Sequence, residues 1–167
     1  MTEQTENLPA VRTDPPVTTV ARRDTDSWAD QLPAIVDLAR SICGTDFVPE
    51  ALRDNVAATA AAILYGREIG LPPMTSLSNV YVVKGVPTLS ARIQRAQVLA
   101  AGHSFEVLES TTDRAVVRGR RKGDEGPWTT VSYSFDQAKR AGLVKPRSGW
   151  ETNPEDMCFA RASSRLC

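Results

Sequence analysis

The sequence predicts an α+β protein with N-terminal helices, a β-hairpin, another helix, an antiparallel three-stranded meander and a closing helix. Three observations carry this prediction. Apolar residues recur at helical spacing between 28 and 64, two β-branched runs flank a tight turn within 80–89, and three strand-like runs follow one another between 105 and 134. The 167 residues, of which 41% are apolar, suffice for one domain with a core. We expect that domain to span 27–167.

Residues 1–26 are predicted to be a disordered N-terminal tail. They are rich in Thr, Pro, Glu and Asp, and they contain no aromatic residue, so they cannot bury enough apolar surface to offset the loss of conformational entropy. Helical spacing begins at Trp28 and ends near Cys43, just before Gly44. A second helix is expected to start at Pro49 and to continue without a break past Ile63 and its neighbours.

The centre of the chain is predicted to turn from a helix into a hairpin. Gly70 followed by Leu71 and two prolines is typical of a helix C-terminus, because glycine adopts the left-handed conformation and proline cannot continue the helix. Residues 80–89 are predicted to form two strands joined by a tight turn at Gly85. Ser90 is expected to cap the helix that follows.

The second half is predicted to fold around a sheet with one buried and one solvated face. Thr, Val and Tyr alternate with Thr and Ser in its last strand. A helix capped by Asn153, with Pro154 in its first position, closes the chain. The other elements are expected as helices over 91–101 and 136–141 and as strands over 105–108, 115–121 and 128–134.

The formal net charge of zero hides a division along the chain. Residues 1–60 carry 5 Lys and Arg against 10 Asp and Glu, whereas residues 61–167 carry 15 against 10. The second part therefore has the electrostatics of a weak polyanion binder. The alternative is that these arginines only solvate the surface.

Several classes of site have no support in the sequence. The three cysteines are widely spaced, and His103 is the only histidine, so we expect reduced thiols and no metal site. There is no Gly-x-x-x-x-Gly-Lys-Ser/Thr loop for a nucleotide triphosphate, and no nucleophile stands with a base. Asp124 and Glu125 resemble metal-binding carboxylates, but their place between glycines favours a solvated turn. With no signal peptide and no apolar run of about 18 residues, we expect a soluble, intracellular protein.

The central stretch holds an ordered set of residues: Gly66, Glu68, Gly70, Leu71, Pro73, Leu77, Tyr81, Val82, Gly85, Pro87, Leu89 and Ala91. This order resembles the signature region of the RecT family of phage single-strand annealing proteins. Two further segments resemble the family, at 135–143 and at 150–162, so that the resemblance covers roughly 50–167. Family members continue beyond the point that matches Cys167, so we expect this chain to lack the family's C-terminal part.

The resemblance implies a non-enzymatic recombination protein. Such a protein binds single-stranded DNA without ATP or another cofactor, and it anneals complementary strands in phage-type homologous recombination. It also implies a ring or filament of identical subunits in the cytoplasm of a bacterial host, with a partner exonuclease and a host single-stranded DNA-binding protein as possible partners. Two alternatives stay open: a binding module that does not anneal, and a DNA-processing enzyme such as a nuclease.

Basic residues of the second half are the candidate DNA contacts, because cations that meet phosphates give affinity without sequence preference and nearby aromatic rings can stack on bases. Arg161 and Arg165 lie four residues apart on the closing helix, where pairing with Glu151, Glu155 or Asp156 is the alternative. Trp150 has its own alternative, that of a core anchor. The full candidate set is Arg92, Arg118, Arg120, Lys139, Arg140, Lys145, Arg147, Trp150, Arg161 and Arg165.

Overall fold

The computed structural model describes residues 28–83 and 85–167, and these form an α+β fold with a two-stranded and a three-stranded antiparallel sheet. The predicted fold class is therefore confirmed. The predicted disordered tail over 1–26 lies outside the described residues.

Three helices build the first part of the chain: α1 (Trp28–Ile42), α2 (Val56–Glu68) and α3 (Pro73–Asn79). The prediction of one unbroken helix from Pro49 is wrong, because a 3-10 helix (Glu50–Leu52) precedes α2 as a separate element. Asp54 has a φ of 58°, which no α-helix accommodates. Asn55 then starts α2 by accepting a hydrogen bond from the backbone N–H of Ala58 at 3.0 Å.

The corner after α2 has the predicted chemistry. Gly70 has a φ of 77°, and the N–H of Leu71 donates to the carbonyl of Gly66 at 2.8 Å, which is the Schellman pattern of a helix C-terminus. Beyond the corner, α3 packs so closely on α2 that a Cβ at Gly66 would lie 1.9 Å from the hydroxyl oxygen of Ser76. This contact explains why a helix interior carries a glycine here.

The hairpin pairs β1 (Val80–Val83) with β2 (Val86–Leu89) in the predicted antiparallel register, and Gly85 has a φ of 81°. Val80 at its base is buried in the first core, whereas Val82 is 67% exposed and Val86 is 63% exposed. The first core therefore holds only the base of the hairpin. Its buried members are Ile35, Ala39, Val48, Ala60, Ala62, Ile63, Leu77 and Val80.

The predicted meander follows α4 (Ala91–Ala100), which Ser90 caps as expected by accepting from the N–H of Ile93. Strands β3 (Ser104–Ser110), β4 (Arg114–Arg120) and β5 (Thr129–Ser134) form one antiparallel sheet in the order β3-β4-β5. A register shift between Val107 and Glu109 interrupts the pairing of β3 with β4.

Three helices complete the chain: α5 (Phe135–Arg140), the single turn α6 (Gly149–Thr152) and α7 (Pro154–Leu166). The turn α6 lies between the helix predicted over 136–141 and the closing helix, where the sequence predicts no element. Asn153 occupies the N-cap position of α7 but makes no side-chain cap, so that part of the prediction is wrong. Its amide donates instead to the Thr152 hydroxyl at 3.2 Å.

The second core lies between α7 and one face of the three-stranded sheet. Helix α4 packs on β3 and on α7, and the Gln97 amide donates to the carbonyl of Ile69 at 3.0 Å, which ties the end of α2 to this part. The buried members are Ala115, Val117, Tyr133, Ala138, Trp150, Cys158 and Ala162.

Candidate nucleic-acid interface

The two faces of the three-stranded sheet differ as the sequence predicts. Ala115 and Val117 of β4 are fully buried beneath α7. The residues that alternate with them along the strand point to the opposite side. On that opposite side Thr130 and Ser132 are exposed. We call it the open face, and it carries Glu106, Arg114, Val116, Arg118, Arg120, Trp128, Thr130 and Ser132.

Two arginines of β4 lie against one tryptophan on the open face. The guanidinium carbon of Arg118 is 4.5 Å from the centroid of the Trp128 ring, and that of Arg120 is 4.9 Å away. Pairing of Gly119 with Thr129 explains this meeting, because Trp128 immediately precedes Thr129 and so comes beside Arg120. Cations within about 6 Å of an indole are attracted to its π-electrons, which helps to hold both guanidinium groups beside the ring.

Two glutamates of β3 accompany the arginines. Glu106 pairs with Arg118 across the strands and accepts from both its Nε at 2.8 Å and its Nη2 at 2.7 Å. Arg114 contacts both carboxylate oxygens of Glu109: its Nε donates to Oε1 at 2.8 Å, and its Nη2 lies 2.7 Å from Oε2. Within the described ranges Arg120 has no carboxylate partner, so it is the arginine of this face whose charge is not neutralised.

The hydrogen bond from Arg114 lowers the pKa of the Glu109 carboxyl below its ordinary value, and the same bond raises the pKa of Arg114. Glu109 therefore keeps its charge to a lower pH than an ordinary carboxyl group does, while Arg114 stays charged. Because the side chains are 59% and 32% exposed, solvent screens the pair and its contribution to stability is small.

Four predicted basic residues surround α5 and the loop after it. Lys139 pairs with Asp136 at 3.4 Å and lies 4.9 Å from the Phe135 ring. Arg140 and Lys145 are exposed, and their side chains have no hydrogen-bond or ion-pair partner among the described residues. The fourth, Arg147, has a φ of 59°, a conformation stabilised by its N–H, which donates to Glu151 at 2.6 Å.

The two arginines of α7 make no ion pair within the described part of the chain, so the alternative of pairing with Glu151, Glu155 or Asp156 is not observed. Arg161 is exposed. The guanidinium carbon of Arg165 lies 4.6 Å from the centroid of the Tyr133 ring. Arg165 therefore also covers the edge of the second core.

Arg92 and Arg95 of α4, three residues apart, have different surroundings. Arg92 is exposed and donates weakly to Asn79 at 3.4 Å, beside the hairpin. Arg95 is half-buried, and its guanidinium carbon lies 4.8 Å from the centroid of the Phe159 ring. Arg92 thus lies beside the first core and not on the open face.

The prediction of Trp150 as a base-stacking residue requires correction. Trp150 is 5% exposed, and its ring centroid lies 5.9 Å from that of Tyr133 in the second core. A base has no access to the ring in this position. Trp150 is therefore a core anchor, which is the alternative given above for this residue. Of the two tryptophans whose burial the structure describes, Trp128 is the partly exposed one. Sequence reasoning missed it, although the alternation of Arg118 and Arg120 beside a following strand could have indicated it.

Other polar groups have structural roles. Asp124 accepts from the N–H of Gly126 at 2.8 Å, which is the solvated turn that its sequence favours.

Cys43, Cys158 and Cys167 are free thiols, as expected, and burial raises the pKa of the Cys158 thiol, which keeps it protonated and unreactive. In residues 28–83 and 85–167 no three His, Cys, Asp or Glu side chains come together as a metal site.

A cleft of about 830 Å³ adjoins the end of the open face. Arg120 and Arg121 line it together with His103 and Leu166. His103 accepts from the N–H of Lys122 at 2.9 Å and so holds the end of β4 in place. The cleft extends the basic surface beyond the edge of the sheet.

Comparisons with known proteins add no relative: no family model, no curated protein and no solved structure matches this chain. Within the part of the chain that the structure describes, no helix has both the length and the apolar character needed to cross a membrane.

Proposed function

We propose that this chain binds single-stranded DNA without ATP and promotes the annealing of complementary strands. The observation that carries the proposal is the group of Arg118, Arg120 and Trp128 on the open face. Guanidinium groups bind phosphates, and an indole stacks on any base, so this combination suits a single strand of any sequence. A duplex offers phosphates, but it keeps its bases stacked inside.

Further cations in the second half support the same proposal. Arg140, Lys145 and Arg161 are exposed, and their side chains have no partner among the described residues. Free cations of this kind attract a polyanion along a surface wider than one contact. The resemblance of the central stretch to the RecT signature agrees with this proposal, and it extends it to a ring or filament of subunits in a bacterial cytoplasm. A partner exonuclease and a host single-stranded DNA-binding protein belong to the same proposal.

The binding half of the proposal is tested by replacing Arg118 and Arg120 with glutamine. Titration of a labelled oligothymidine at several salt concentrations should show weaker binding and a shallower slope of log affinity against log salt, by roughly 0.7 for each phosphate contact that is lost. The matched control is Arg40→Gln with Arg53→Gln, which removes the same charge from surface arginines of the first part of the chain that pair with Asp37 and Asp46. If both double variants weaken binding equally, the open face is not the site.

The annealing half needs a separate measurement. Two complementary labelled strands are mixed with and without the protein, and the rate of pairing is followed by energy transfer. An annealing protein accelerates pairing, whereas a module that only coats single strands slows it. Cleavage of the labelled strands in the presence of Mg²⁺ would instead support a nuclease and overturn the proposal.

A further inference from the structure

We infer that Glu106 occupies the phosphate position of Arg118 and so limits the affinity of the open face for single strands. This inference rests on the proposed function, and it adds a residue that sets how tightly that site binds. The candidate residues predicted from the sequence were all cations or aromatic. A carboxylate placed among them acts in the opposite direction.

The geometry gives Glu106 this role. One carboxylate oxygen accepts from both Nε and Nη2 of Arg118, at 2.8 and 2.7 Å, so it occupies the edge of the guanidinium group that would otherwise bind a phosphate. The guanidinium carbon of the same side chain lies 4.5 Å from the centroid of the Trp128 ring. Until Glu106 is displaced, this edge is taken, and Arg118 has only its remaining Nη1 side to offer a phosphate.

The pair is poised for such an exchange. The side chains of Arg118 and Glu106 are 36% and 46% exposed, and ion pairs at that exposure hold together weakly. A phosphate offers the same type of charge-assisted hydrogen bond as the carboxylate that it replaces. The exchange therefore gains little free energy by itself. Arg120 has no carboxylate partner among the described residues, so it is the first arginine of this face to meet the DNA.

The test replaces Glu106 with glutamine and measures the binding of oligothymidine across a range of salt concentrations. Freed from the carboxylate, Arg118 should bind DNA about two- to fivefold tighter at low salt, which corresponds to the strength of an exposed ion pair. The slope of log affinity against log salt should steepen by roughly 0.7, which is the contribution of one additional phosphate contact on a single strand.

Two comparisons separate this effect from a general change in charge. Asp37→Asn removes one negative charge from an exposed, arginine-paired carboxylate on α1, and it should leave affinity and slope unchanged. In an Arg118→Gln background, Glu106→Gln should have no effect, because its partner is gone. An equal gain in the Asp37 variant, or a gain that persists without Arg118, would overturn the inference.

A weaker affinity for Glu106→Gln would also overturn it, since that result would make Glu106 a residue that orients Arg118 for binding. Failure of the proposed function looks different. In that case the wild-type protein shows no salt-dependent binding of oligothymidine, or the Arg118→Gln and Arg120→Gln replacements leave that binding intact.

Discussion

The first and second cores of this chain differ in what they leave at the surface. The first core packs helices against each other so closely that Gly66 and Ser76 touch, and on the surface around it Arg40 and Arg53 pair with aspartates. The second core covers only one face of its sheet and leaves the arginines of the other face beside Trp128. Tight packing thus dominates one part and an accessible charged surface the other.

This difference indicates where substitutions should affect stability and where they should affect binding. A helix pair in close contact tolerates no added atom, whereas a sheet with one open face accepts changes on that face without loss of its core. The predictions below test this division, beginning with the largest expected effect.

Trp150→Ala should lower the free energy of unfolding by about 3–5 kcal/mol, the usual cost of removing a large buried aromatic side chain. Trp150 is 5% exposed beside Tyr133, so the loss should fall on the second core. Hydrogen exchange measured segment by segment should show reduced protection in β4, β5 and α7, with α2 affected less. An equal reduction along the whole chain would show that the two cores unfold as one unit.

Gly66→Ala should destabilise the first core by about 1–3 kcal/mol, the range for overpacked interiors. The new Cβ would lie 1.9 Å from the Ser76 hydroxyl oxygen and 2.4 Å from the Ser76 Cβ, so α2 and α3 must move apart. Urea denaturation followed by circular dichroism measures the loss. Adding Ser76→Gly should restore part of the stability, and a double variant that is no more stable than Gly66→Ala would contradict the proposed contact.

Gly85→Val should cost about 1–2 kcal/mol, because the left-handed conformation crowds a side chain against its own backbone. No other atom lies within 4 Å of the added Cβ, so backbone strain is the whole effect. Thermal melting of the variant checks this value. Gly85→Asn is the matched control, since asparagine tolerates a positive φ, and an equal loss in both variants would require a cause other than strain.

The smallest effect concerns acid stability. The pKa of Glu109 is lowered in the folded protein, chiefly by its hydrogen bond from Arg114, so the pair stabilises the fold above the ordinary carboxyl pKa. That contribution is lost as the pH falls through the lowered value. Glu109→Gln should therefore differ slightly from wild type at neutral pH and converge with it in strong acid. Denaturation midpoints measured from pH 7 down to about pH 2 test this, and a difference that grows on acidification would be contrary to the expected sign.

The sequence by itself determined the fold class and most of the element boundaries. Gly70 with two following prolines, the hairpin around Gly85 and the cap at Ser90 act within a few residues, so their effects are visible without the rest of the chain. The break at Asp54 and Asn55 is not visible in the sequence. The alanine-rich spacing of α2 also fits a helix that starts at Pro49, whereas the structure holds Asp54 at a positive φ.

Only the tertiary structure decided which tryptophan is buried and which arginines are free. Trp150 precedes α7 and Trp128 precedes β5, so the two look alike in sequence. In the structure Trp150 packs on Tyr133, whereas Trp128 meets Arg118 and Arg120. That outcome depends on how β4 aligns with β5 and on which face α7 covers. The pairing of Arg118 with Glu106 likewise joins residues twelve positions apart on different strands, and the spacing of charges along a chain does not determine which partners strand register brings together.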